Sequence, residues 1–100
     1  MDNSLESISK INAWYASNCD GDWEHQYGIS IQTLDNPGWL VEIDLFNTVK
    51  ENKKFDAQKF NEVGNTEWFD IKVVDKKLVG ACSVSQFSTL LHICAKWLQE

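Results

Sequence analysis

Arginine is missing from this chain: all nine basic residues are lysine. Nucleic-acid and phosphate sites need clustered positive charge and commonly use the planar fork of arginine, so neither is the expected partner. Cysteine is sparse, at Cys19, Cys82 and Cys94. An odd number at unrelated spacings makes neither a disulfide framework nor a Cys-x-x-Cys metal pair, and the three read as reduced thiols used as small apolar residues. No apolar run approaches the ~20 residues that a membrane span needs. The opening Met1-Asp2-Asn3-Ser4 lacks the basic residue and apolar block of a secretory leader. A cytoplasmic protein with no membrane partner is expected.

What remains is 100 residues, 43% hydrophobic and 12% aromatic, the composition of one globular domain. The net charge is −6 and unevenly placed. Residues 1–49 hold eight acids against the single base Lys10, a balance of −7, while residues 50–100 hold seven acids against eight lysines, or +1. An acidic half would attract a basic protein and speed its encounter, although acidity also serves solubility alone.

Residues 4–18 read as an amphipathic helix opened by an Asn3/Glu6 capping box, with Leu5, Ile8, Ile11, Tyr15 and Cys19 as its apolar stripe. Trp14 falls beyond the edge of that stripe, as a flank of the core or as an exposed aromatic. Asn18 to Gly21 ends the helix. Tyr27–Leu34 and Trp39–Leu45 alternate as strands, separated by the turn chemistry of Asp35-Asn36-Pro37-Gly38. Two registers keep apolar residues opposite each other. One sets Ile31 against Ile43 with the five-residue tip Asp35–Trp39; the other sets Ile31 against Val41 with the three-residue tip Asp35–Pro37. Phe46–Lys54 reads as a loop, Phe55–Val63 as a weak strand and Gly64-Asn65 as a turn. Glu67–Val74 is a clear strand, Asp75-Lys76 a tight turn and Lys77–Cys82 the last strand. Ser83 or Ser85 then caps a helix running to about Gln99, with Phe87, Leu90, Leu91, Cys94, Trp97 and Leu98 on its buried face. The order α-β-β-β-β-β-α predicts a single α+β domain spanning residues 1–100. It is an antiparallel sheet of about five strands, with an N-terminal and a C-terminal helix packed on one face. Gln32, Glu42, Asp44 and Trp68 fall on the opposite face.

The densest chemistry lies in Cys19-Asp20-Gly21-Asp22-Trp23-Glu24-His25. Asp20, Asp22 and Glu24 open like a calcium loop, but its sixth position is His25 instead of Gly and its twelfth is Ile31 instead of Glu. A looser metal or ligand site built from these acids and His25 is the alternative kept open. Catalysis is not expected. No nucleophile elbow, phosphate loop or zinc-protease spacing occurs, His92 falls on the polar side of the last helix, and so small a fold leaves little room for a pocket. Asp and Gly also suit a helix-to-strand turn, with Trp23 filling the core. Three acids so close repel one another unless solvent, a cation or a basic partner screens them.

Trp14-Tyr15, the run Cys19–His25 with Tyr27-Gly28, and Thr33-Leu34-Asp35-Asn36-Pro37-Gly38-Trp39 together closely resemble the signature of the bacterial immunity protein 53 family. Members are small proteins encoded beside polymorphic toxins, held to protect the producing cell by binding the toxin domain. The resemblance is dense over Trp14–Leu45 and looser beyond Asn47. It implies a cofactor-free inhibitor that occludes a cognate toxin without catalysis. A basic toxin such as a nuclease would suit the acidic half; an adaptor subunit of a stable complex is the other reading. Asp20, Asp22, Trp23, Glu24, His25 and Asp35 are candidate toxin contacts, as are Trp39, Glu42, Asp44 and Trp14. Residues shared across such a family can equally be framework.

Overall fold

The computed structural model describes residues 4–61 and 67–100. Its sheet grows from two hairpins. Ile29–Leu34 (β1) pairs antiparallel with Gly38–Asp44 (β2), placing Ile31 opposite Val41 and Leu34 opposite Gly38, so Asp35–Pro37 is the tip. The three-residue alternative is therefore the one adopted. Gly38 explains the choice: a Cβ there would collide with the Cys82 carbonyl oxygen of the neighbouring strand, so glycine is a ladder residue and not a tip residue.

The second hairpin joins Trp68–Val74 (β4) to Lys77–Cys82 (β5) through Asp75 and Lys76. Both turn residues are left-handed, with φ of 51° and 60°, the mirror-image turn whose twist suits a two-residue hairpin. Gln58–Asn61 (β3) pairs with β4, setting Phe60 beside Phe69 with their rings stacked at 5.5 Å. The weak strand expected over Phe55–Val63 begins only at Gln58 among the described residues. Val63, the Gly64-Asn65 turn and the Asn3 cap lie outside the described residues.

β5 then slots between β2 and β4, giving the antiparallel order β1-β2-β5-β4-β3. Pleating puts Val41, Ile43, Leu78, Cys82 and Ile71 on one face, all at most 1% exposed. The other face carries Gln32, Glu42, Asp44 and Trp68, as the alternation predicts.

The terminal helices cover the apolar face. Phe87–Leu98 (α3) lies over β5 with Leu90, Leu91, Cys94, Trp97 and Leu98 buried, the face expected for it. Neither serine caps it. Ser83 extends the β4–β5 ladder instead, its hydroxyl bonded to the Trp68 N–H (3.1 Å) and C=O (3.3 Å). Ser85 donates to Glu67 (3.1 Å), and a 3₁₀ turn at Val84–Gln86 leads into the helix.

Ser4–Asn18 (α1) packs against α3. This rotates it relative to the expected stripe. Ser7, Ile11 and Trp14 turn inward, whereas Leu5 and Ile8 are 78% and 51% exposed. Small Ser7, and a Ser4–Ser88 hydroxyl contact of 2.9 Å, suit a close helix–helix approach. The loop after β2 is pinned to α3 as well. Lys50 is buried, its ammonium donating to the Glu100 carbonyl and lying 5.2 Å from the centre of the Trp97 ring.

Candidate functional site

The acidic run folds into a single cap. Asp20 Oδ1 accepts the N–H groups of Asp22 and Trp23, both at 2.9 Å. The Glu24 carboxylate reaches back to the N–H groups of Asp20 (3.0 Å) and Gly21 (2.9 Å). Gly21 sits at φ +95°, open to a residue without Cβ. This is a reciprocal cap, one residue longer than the usual box, opening the one-turn helix Trp23–Gln26 (α2).

Repulsion among the acids would raise their pKa values. The structure lowers both. Asp20 is held down by the backbone N–H groups of Trp23 and Asp22. Glu24 is held down chiefly by its own backbone N–H, then by those of Asp20 and Gly21. The clustering of these two carboxylates therefore needs no partner to explain it: backbone donors screen them. The signal, an aspartate followed four residues later by a glutamate with Trp23 between them, was present in the sequence.

What the cap aims is Trp23. Its indole is 5% exposed, donates to the Phe46 carbonyl (2.7 Å), and stands edge-on to Trp14 (6.1 Å) and Tyr15 (5.9 Å). Tyr27 continues the cluster and stacks on Phe46 at 5.5 Å. Trp14 and Trp23 are thus core residues, with almost no surface to offer. Trp39 is half-buried and stacks on Phe87 at 4.2 Å.

The remaining candidates separate by what they touch. Asp44 accepts the Gly28 N–H (2.9 Å) and lies 3.8 Å from the Lys77 ammonium. Asp22, His25 and Asp35 are exposed, and Glu42 is half-exposed on the uncovered sheet face. Among the described residues, no three His, Cys, Asp or Glu side chains are grouped to hold a metal ion. The cluster Asp20/Asp22/Glu24/His25 does not converge.

Although the fold was expected to leave little room for a pocket, an open apolar groove of about 570 Å³ runs between α1 and β1. Ile8, Tyr15, Ile29, Ile31, Trp39 and Phe87 are among its walls. It exists because the helices lie over the middle of the sheet and leave the inner side of β1 uncovered. Ile31 is 48% exposed in consequence.

No helix among the described residues is long and apolar enough to cross a membrane. Fold and surface together define a small α+β domain with an acidic leading half and an uncovered sheet edge. The family model for immunity protein 53 matches residues 8–99, and the chain belongs to that family. No curated protein and no solved structure matches it.

Proposed function

We propose that this protein neutralises a cognate protein toxin by binding it and covering its working surface, with no turnover of its own. The match to the immunity protein 53 family over residues 8–99 carries this reading. The charge distribution supports a basic toxin domain, such as a nuclease, because residues 1–49 balance at −7. A cytoplasmic site of action fits the same reading.

Hydrogen bonds within the fold support a choice among the candidate contact residues. Asp20, Glu24 and Asp44 hold backbone N–H groups of their own fold. Asp22, His25, Asp35 and Glu42 face outward without such duties among the bonds described. They are the residues we assign to the toxin-facing surface.

Co-expression with the toxin encoded beside this gene is the test. Rescue of growth and a purifiable complex are expected, and absence of both would reject the reading. Charge reversal by Asp22→Lys with Glu42→Lys should slow association and steepen dissociation at low salt. If that variant binds unchanged, the acidic-contact part fails while neutralisation stands.

A further inference from the structure

β1 is an edge strand, and no other element among the described residues pairs with its outer side. Its sequence, Ile-Ser-Ile-Gln-Thr-Leu, holds no charge and no proline, and Ser30 to Thr33 are all exposed. Natural edges are ordinarily blunted by lysine, proline, a bulge or shortness. The opposite edge follows that rule: β3 is four residues long and carries Lys59.

The ladder fixes which backbone groups β1 leaves unpaired by β2. The Asp44 N–H donates to the Gly28 carbonyl at 3.0 Å, so residues 28 and 44 form a hydrogen-bonded pair. Alternation makes Ser30–Glu42 and Gln32–Leu40 the next such pairs. The N–H and C=O groups of Ile29, Ile31 and Thr33 therefore point away from β2, toward the open side. The side chains of the same three residues lie on the inner face, where Ile29 and Ile31 line the groove. Unpaired backbone and an apolar trough thus occur side by side on one strand.

Charge selects the occupant. Asp35 directly follows β1, Glu42 is the cross-strand partner of Ser30, and the groove residue Tyr15 touches the ring of Trp23, which the Asp20–Glu24 turn carries. Lys10 is the only base in residues 1–49. A second copy would bring two such acidic halves together. A strand with alternate apolar residues and flanking lysine or arginine would match the unpaired edge, the apolar groove and the nearby acids.

Resting on the neutralising role proposed above, we infer that β1 is the docking edge for the toxin, which adds an extended basic-flanked segment as a sixth strand and seats its apolar side chains in the α1–β1 groove. Main-chain bonds supply the pairing and the groove supplies selectivity, as in other strand-addition complexes.

Residue-resolved amide exchange tests this, using the full chain with and without the neighbouring toxin domain inactivated by substitution. The amides of Ile29, Ile31 and Thr33 should slow at least about tenfold in the complex, while those of Ser30 and Gln32, already bonded to β2, change far less. A complex that forms without that alternating protection overturns the inference and leaves neutralisation standing. Absence of any complex overturns both. Protection that rises with protein concentration in the free chain, with a dimer mass, assigns the edge to a second copy and also overturns it. Thr33→Pro removes one outward N–H without touching the β1–β2 ladder, and should weaken the complex about tenfold. Should that variant fail to fold, Ile31→Lys at a half-exposed position places a charge on the same edge and is expected to act alike.

Discussion

Leu90 Cδ1 stands 2.6 Å from where a Cβ on Gly80 would lie. Helix α3 can settle onto the central strand β5 because residue 80 has no side chain. Gly80→Ala forces the buried Leu90 aside and should destabilise the fold by about 1–3 kcal/mol, read as a lower urea midpoint at unchanged slope. Gly28→Ala is the control. Nothing lies within 4 Å of a Cβ there, so its effect should stay within about 0.5 kcal/mol.

Acid stability should report the α2 cap. Both capping carboxylates have folded pKa values below their ordinary 3.8 and 4.5, so the folded state binds fewer protons than the unfolded chain. Their contribution is complete above about pH 4.5 and is lost as pH falls through the lowered folded values. Asp20→Asn with Glu24→Gln should therefore flatten the loss of stability between about pH 4.5 and pH 2, measured by denaturant titration at each pH.

Trp23→Phe keeps an aromatic ring in the cluster but removes the donor to the Phe46 carbonyl. Leaving that acceptor unmatched should cost about 1–3 kcal/mol. Toxin affinity of the folded variant should be unchanged, since the indole is core. A large affinity loss with intact stability would return Trp23 to the contact surface.

Thiol labelling should sort the three cysteines. Cys19 is exposed, whereas Cys82 and Cys94 are fully buried. Burial raises the Cys82 thiol and pushes Cys94 up to about 12. Native protein at pH 8 should take one equivalent of a maleimide, and three after unfolding.

The strands were legible because their signals are local. Alternation gave β1, β2, β4 and β5, and Asp75-Lys76 marked its turn. The hairpin register needed one further fact, the crowding of Gly38 by Cys82 from a strand forty residues on. Helix placement was less legible. Leu5 and Ile8 satisfy a helical period, but which stripe is buried depends on α1 leaning against α3, and no one-dimensional pattern encodes that. The same displacement exposes Ile31, whose alternating neighbours read as core. The acidic run stands out in the sequence by its clustering, which fits a contact site and a helix-to-strand turn alike. The Asp20-to-Glu24 spacing is there in the sequence, whereas the backbone N–H groups that screen the two carboxylates are brought to them only by the folded turn.

The placement of β5 bears on how the chain is made. The pairs β1–β2 and β3–β4 each form between strands adjacent in sequence, yet the strand that joins them, Lys77–Cys82, reaches β2 only after more than thirty intervening residues have been added. A ribosome must therefore release nearly the whole chain before the sheet can knit, and a nascent fragment ending at Val74 would hold two unjoined ribbons. Such a fragment should be digested rapidly by protease in translation assays, whereas the finished chain resists.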